Sequence, residues 1–523
     1  MNIKLVFVLL FGTMILGLAI SFFLYAGPDP IYDDATYLSL TGNLIKHSLY
    51  FLENRFTFGY LSIFPIAISF YLFNFGVLQA ILPGLIEFEF IIIVAFLVGR
   101  ELGGNKLALL SSFLIATVPF LVGYTTRVLI DVDQGAAVAL AILILFCYNR
   151  NNERTWGFLY GFAVTLPLYV KTEGILFLAS AIAFLVVFSF FERIKTGRGK
   201  SPKKKQKTIF TNAWIAYVVI GAFVGFVIYL IPFYFVTGDL FFIFKSYMVS
   251  SGAYPSLATL ITAVSPFGYV NNIDFFPLGP IVLLAMMGTL FAFLKQNMRL
   301  MYISAVNWFV FVYLIFGSSS LSSYRPIPIV SRLFSPLALP LALLSAYFIL
   351  ETCGMITKKI GKNFGSLYLV VMIAVIMFAY LPTYAGIKTE NMQISGQEKI
   401  FSDAFSYING IKNQTNISIY VQAPVGFRLA SAYFIGFLAG YGSNISSYIV
   451  DYPYFPFKSE TCSVNNKTSS YLVDIYSPYG AATSEQNNTI ERWLGNSCAM
   501  TQLKVFGKPI YPFIIYVYRL GKG

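Results

Sequence analysis

MNIKLVFVLLFGTMILGLAISFFLYAGPDPIYDD, residues 1–34, sets an apolar run over 5–24 just before an acidic pair, Asp33-Asp34. No charge interrupts the run after Lys4. About 20 apolar residues cross a bilayer as a helix, so this run predicts a spanning helix. Similar runs recur at 79–98, 107–123, 134–148, 156–170, 174–191, 210–236, 278–294, 300–317, 333–353 and 365–383. The pattern predicts a polytopic α-helical membrane protein with about eleven spans.

Composition agrees. Hydrophobic residues make up 57% of the 523 and charged ones 11%, against about 25% charged in soluble domains. The net charge of +13 does not imply a nucleic-acid partner. Eight of the 36 Lys and Arg fall in RIKTGRGKSPKKKQK, 193–207, between two apolar runs. A basic loop there marks the cytoplasmic side and meets anionic membrane lipid.

With the N-terminus inside, the inner loops carry 18 Lys and Arg and the outer loops of the membrane part carry 7. Residues 60–75, YLSIFPIAISFYLFNF, are apolar enough to span. Counting them would reverse the charge bias downstream, so they read as an interfacial or re-entrant helix on the outer side, broken by Pro65. Span 5–24 lacks a clear cleavage site before Pro28 and reads as a retained anchor.

The C-terminal part is different. All five Asn-x-Ser/Thr sequons, at Asn413, Asn416, Asn444, Asn466 and Asn487, fall in the last 111 residues. Acceptors of that kind belong on exported surfaces. Cys462 and Cys498 lie in the same region, and a disulfide between them suits an oxidising exterior. Cys147 and Cys353 lie in or beside spans and read as inert fillers. The expected organisation is a membrane part, 1–383, and a small extracytoplasmic α/β domain, 384–523. Its helix, 398–411, puts Ile400, Phe401, Ala404, Phe405 and Ile408 on one stripe. ISIYVQAP, SSYLVDIYSP and YPFIIYVYRL read as strands.

Charge beside a membrane is costly, so the outer acids are informative. Asp33-Asp34 precede a helical pattern through Tyr37, Leu38, Thr41, Leu44, Ile45, Ser48 and Leu49. They read either as helix caps or as a carboxylate base. Asp131 and Asp133 sit in TTRVLIDVDQG. In an extended loop they point the same way and could share a divalent cation, Mg or Mn, or a polar ligand; they could equally cap the following span. Glu87 and Glu89 lie inside a span about 200° apart around a helix, so they cannot face one cavity. Lys171 and Glu173 could pair with each other. The single histidine, His47, reads as an interfacial polar residue, which argues against histidine-based zinc sites.

The order of these features resembles the GT-C glycosyltransferases, in particular the family of protein O-mannosyltransferases and bacterial aminoarabinose–lipid A transferases. That family has an acidic pair after its first span, then an aromatic and a helical stretch. Asp33-Asp34-Ala-Thr-Tyr37 and Thr41-Gly-Asn43-Leu44 are similar to it. Tyr60 to Pro65, Gly99-Arg100-Glu-Leu-Gly103-Gly104, Pro119 with Asp131, GFLYGFAVTLPLYVKTEG with Lys171 and Gly174, and SRLFSPLALPLALLSAY with Arg332 and Pro340 follow in the family's order. The pair is Asp-Asp where the family more often has Asp-Glu, and Leu333-Phe334 replace its Tyr after Arg332.

The resemblance implies a donor sugar on a polyprenyl phosphate, a hydroxyl acceptor on protein, lipid or glycan, and inversion by single displacement. It implies Asp33 as base, with Asp34 orienting it or capping the helix, and Asp131 and Asp133 positioning the acceptor or a cation. The departing phosphate would need cations, and Arg332, Arg325, Lys171, Arg127 and Lys245 are the outer candidates. No cofactor beyond a possible cation is required. The Asp131-x-Asp133 pair also looks like the second acidic motif of oligosaccharyltransferase catalytic subunits, which share the fold. A transporter or lipid flippase is the rival class; it needs broken central helices and often internal repeats, whereas no repeat between the halves is legible here and the acidic residues gather at one face.

Overall fold

The computed structural model describes residues 3–30, 33–47, 60–147, 152–197, 211–245, 279–317, 331–410, 417–422, 445–449, 469–476, 498–506 and 514–522. Each of the eleven predicted spans falls largely on helix over its described residues. The helices are α1 (Ile3–Phe23), α2 (Asp33–His47), α3 (Tyr60–Phe73), α4 (Val77–Thr117), α5 (Pro119–Val122), α6 (Ile130–Phe146) and α7 (Glu153–Ala163). They continue with α8 (Leu166–Val170), α9 (Gly174–Gly197), α10 (Asn212–Thr237), α11 (Gly279–Leu294), α12 (Met298–Phe316), α13 (Ala338–Lys359) and α14 (Lys362–Gly410). A 3-10 turn, Ser331–Leu337, leads into α13. Among the described residues six helices are long and apolar enough to cross a membrane, so this is a multi-pass membrane protein.

Several predicted boundaries move. Spans 79–98 and 107–123 are one helix, α4, bent where Gly103 and Gly104 leave helical geometry; Gly104 has φ 74°. Its second leg ends at Thr117, and Pro119 opens the separate four-residue turn α5. The segment 156–170 divides into α7 and α8, with Pro167 in the first turn of α8. Pro65 does not break α3, which runs unbroken through it. At 14 residues α3 is about 21 Å long, short of the ~30 Å hydrocarbon core. One of its faces packs on α2 and α4 and the other exposes Phe64, Ile68 and Tyr71. That suits an interfacial position.

Glycines set the tightest helix pairing. A Cβ on Gly161 of α7 would lie 1.9 Å from the Val218 carbonyl of α10, and one on Gly221 would lie 2.1 Å from the Phe158 carbonyl. Only hydrogen fits at such backbone approach, the usual route to close helix pairs in membranes.

The last helix, α14, is 49 residues long, about 74 Å at helical rise. It runs from the last predicted span through residues 383–384 into the predicted 398–411 helix. Of the predicted stripe Ile400, Phe401, Ala404 and Phe405 are buried, in one cluster with Ile515 and Val517. Beyond α14 lie β1 (Ile417–Gln422), β2 (Ile445–Ile449), β3 (Ser469–Tyr476), β4 (Cys498–Phe506) and β5 (Ile514–Lys522). They form one mixed sheet in the order β2-β1-β3-β5-β4. β1 is parallel to β2 and β3, and β5 is antiparallel to β3 and β4. The three predicted strands are β1, β3 and β5. The five sequon asparagines and Cys462 lie outside the described residues.

Candidate active site

Adjacent residues on a helix diverge by about 100°, and Asp33 and Asp34 in the first turn of α2 do so. Asp33 stays 41% exposed and accepts a hydrogen bond from Arg332 Nη2 at 2.8 Å. Asp34 is fully buried and accepts from the Val128 backbone N–H at 2.8 Å and from Arg127 Nη2 at 3.3 Å. Asp34 is therefore tied to the loop before α6. This tie is additional to the two expected roles, orienting Asp33 or capping α2.

Arg127 is equally enclosed. Its guanidinium also meets Asp29 at 3.6 Å and Glu390 of α14 at 3.3 Å, with 6% of the side chain exposed. Asn391 donates to the Leu24 and Gly123 carbonyls, and Lys388 to that of Phe23. One turn of α14 is thus fastened to the end of α1 and to the loop that carries Arg127. Three carboxylates surround this arginine, so it is not placed to receive a phosphate.

Asp131 and Asp133 do not form the convergent pair that an extended loop would give. They belong to the first turn of α6, where two positions differ by about 200°. Asp131 receives Lys171 Nζ at 3.1 Å and has Arg332 Nε at 3.8 Å. Asp133 turns toward Glu87 of α4 and Ser62 of α3, beside a small pocket lined by Tyr37, Pro83, Gly84 and Arg127. Glu87 is thus the span acid that faces another carboxyl group, though its Oε2 is buried without a hydrogen-bond partner, as are both Glu89 carboxylate oxygens. Among the described residues no group of three His, Cys, Asp or Glu is placed to hold a metal ion.

Lys171 is delivered by a tight turn. It caps α8 in extended conformation, and Gly174 N–H bonds back to its carbonyl at 2.8 Å. A Cβ on Gly174 would lie 2.2 Å from the Leu168 nitrogen, so this turn admits only glycine there. Lys171 pairs with Asp131 and not, as the sequence allowed, with Glu173. Both members of the pair lie outside the apolar spans. Burial pulls the Lys171 amine down, but Asp131 and Glu173 outweigh it and the net shift is upward. Burial pushes Asp131 up, and Lys171 and Arg332 overcome it to hold the carboxyl below its ordinary range.

The turn carrying Arg332 is held by the Ser335 hydroxyl on the Phe120 carbonyl at 3.0 Å and by Phe334 against Phe311 of α12. The chain Asp33–Arg332–Asp131–Lys171 therefore joins four segments that are far apart in sequence. Tyr37, one helical turn beyond Asp33, feels Asp33, Asp131, Arg332 and Glu173 together. In the sequence Tyr37 stands out only through its motif and its place on the α2 helical pattern. Lys245 lies apart, in an exposed pair with Asp239 at 2.6 Å. Arg325 lies outside the described residues.

Residues 60–199 match the sequence profile of the dolichyl-phosphate-mannose-protein mannosyltransferase family. No curated protein matches the chain. Solved structures share its fold. ArnT from Cupriavidus metallidurans in the apo state is 13% identical with TM-score 0.59, covering 97% of this chain and 97% of its own. The same protein bound to undecaprenyl phosphate gives 12% and 0.56, covering 99% and 98%. The apo oligosaccharyltransferase of Archaeoglobus fulgidus gives 12% and 0.54, covering 90% of this chain and 70% of its own. The chain therefore has the fold of these proteins, the GT-C fold, and over residues 60–199 it is similar to the mannosyltransferase family.

Proposed function

We propose that the enzyme transfers a sugar from a polyprenyl phosphate to a hydroxyl on protein, lipid or glycan at the outer face of the membrane, with inversion. The observation that carries this reading is the Asp33–Arg332 contact, a part-exposed carboxylate 2.8 Å from a guanidinium. The matched mannosyltransferase family and an ArnT structure holding undecaprenyl phosphate support the choice of donor.

Asp33 Oδ takes the acceptor's proton while the acceptor oxygen attacks the anomeric carbon. The bond from that carbon to the phosphate oxygen breaks, and the negative charge passes to the polyprenyl phosphate. Arg332 holds that charge with its fork of donors. In the structure the fork rests on Asp33; a phosphate drawing it away frees the carboxylate to act as base. Lys171, anchored on Asp131, supplies a second cation beside it. Asp131 in this reading positions cations, and Asp133 supports the turn it shares with Asp131. No step requires a divalent cation.

In this reading the N-terminus is cytoplasmic, 1–383 form the catalytic membrane part, and 384–523 form an outer-face domain with glycosylatable sequons and a Cys462–Cys498 disulfide. Labelling of introduced cysteines at 200–207 and 440–490 should report opposite sides; the same side for both would overturn this topology. The activity test is transfer by purified protein from radiolabelled polyprenyl-phosphate sugars to hydroxyl acceptors. A fall in turnover of about 10²–10⁴ in Asp33→Asn is expected. Turnover from a nucleotide sugar alone would defeat the proposed donor.

A further inference from the structure

Asn307 is an amide in the middle of a spanning helix. It is the tenth of the 19 residues of α12 and 1% exposed. Neither its Nδ2 nor its Oδ1 has a hydrogen-bond partner among the described residues. Bulk water does not reach the core of a bilayer, and polar side chains are costly there. A buried polar group without a bond calls for a physical reason.

Asn307 lines a cavity of about 40 Å³ whose wall also includes Ala141 of α6, Tyr160 of α7, Pro167 of α8, Tyr302 of α12 and Pro340 of α13. A water needs about 10–15 Å³ of such space, so there is room for about three. A cavity lined only by hydrocarbon stays dry, but this one presents polar atoms from two helices. The Tyr160 and Tyr302 hydroxyls are 2.7 Å apart. Tyr302 donates its proton to the Ala181 carbonyl at 2.9 Å, so within the pair Tyr160 is the donor. The Tyr160 oxygen keeps lone pairs with which to accept.

The amide offers two donors and an acceptor, and the Tyr160 oxygen offers an acceptor. Water both donates and accepts, and a buried water takes two to four polar partners. A larger polar molecule exceeds the volume, and an apolar one leaves the amide unbonded. We propose that Asn307 binds ordered water in this cavity and that this water bridges α12 to Tyr160 of α7. The water takes no part in the transfer reaction, so its presence is independent of the donor reading. Its cavity lies where α6, α8 and α13 meet, the elements that carry or adjoin Asp131, Lys171 and the Arg332 turn. Ala141 is ten residues beyond Asp131, about 15 Å along α6. The bridge thus stands at the joint of the elements that align the charged row.

The test is hydroxyl-radical labelling of the purified full chain. X-ray radiolysis turns water, bound water included, into hydroxyl radicals that oxidise the side chains they touch, and mass spectrometry maps the labelled residues. Tyr160 and Tyr302 are 4% and 1% exposed, so bulk water does not label them. Wild type should carry label on one or both, and none on Phe88 and Phe120, which are fully buried and do not line the cavity. Absence of label from both tyrosines overturns the water site. Asn307→Leu keeps the size and removes the polar atoms, so its tyrosine label should fall to the level of Phe88. Unchanged label in a folded Asn307→Leu protein shows that the amide does not hold the water and overturns the assignment. Ala141→Val keeps Asn307 and fills the cavity from α6, which keeps the question open to test if Asn307→Leu does not fold. Its label should fall likewise; persistent label there puts the water outside this cavity and overturns the proposal as well. Melting temperature and elution volume report folding of both variants.

Discussion

Arg127 and Arg332 each hold one member of the Asp33-Asp34 pair, yet they do so in opposite settings. Arg127 is 6% exposed, with Asp29, Asp34 and Glu390 around it. Arg332 is 24% exposed and faces Asp33, itself 41% exposed. Two acids adjacent in sequence point apart on α2, so one can be built into the fold while the other stays open for chemistry. Removing one partner of a buried ion cluster leaves uncompensated charge in a low dielectric. Removing one partner of an open pair leaves a charge that water can solvate.

The largest effect should come on the open side. Asp33→Asn should lower turnover at saturating donor by about 10²–10⁴, the usual span for loss of a general base, with the melting temperature preserved. Near-normal turnover in the well-folded variant would remove Asp33 from the mechanism. On the closed side, Arg127→Ala should cost about 3–5 kcal/mol of stability, because three carboxylates lose their cation; chemical denaturation in detergent reads this directly. A stable, inactive Arg127→Ala protein would break the comparison and give Arg127 a chemical role.

Arg332→Lys sharpens it further. Lysine keeps the charge but loses the planar fork, so donor KM should rise about tenfold, the loss of one hydrogen bond to a charged group, with little change in melting. Lys245→Ala should be silent in activity assays, since its exposed pair with Asp239 lies apart from the site. A fall in donor use there would extend the phosphate site beyond the residues assigned to it.

The helical class and the outer acids were legible because bilayer thickness imposes long apolar runs, and charge beside them stands out. Asp33, Arg332, Asp131 and Lys171 could each be nominated from position, but their pairing could not. Arg332 meets Asp33 across 299 residues, and no local pattern encodes that. Asp131 and Asp133 misled because alternate spacing reads as one face only in an extended chain, and α6 begins at Ile130, earlier than its apolar run suggests. Pro65 misled in the other direction, as packing of α3 on α2 and α4 offsets the lost helix bond. Glu390 was invisible, because a charged residue on a long helix resembles any solvated position until Arg127 is found beside it.

The fastening of α14 also bears on how the protein is made. Arg127 leaves the ribosome 263 residues before Glu390, the last of its acids. Until then the loop that positions Asp34 lacks one of its anchors, and the Leu24 and Gly123 carbonyls lack Asn391. A chain terminated after its last apolar run would contain every residue of the Asp33–Arg332–Asp131–Lys171 row and still lack the turn that fastens the end of α1. Premature products would thus be folded less firmly at the point where chemistry occurs, which ties competence to completed synthesis.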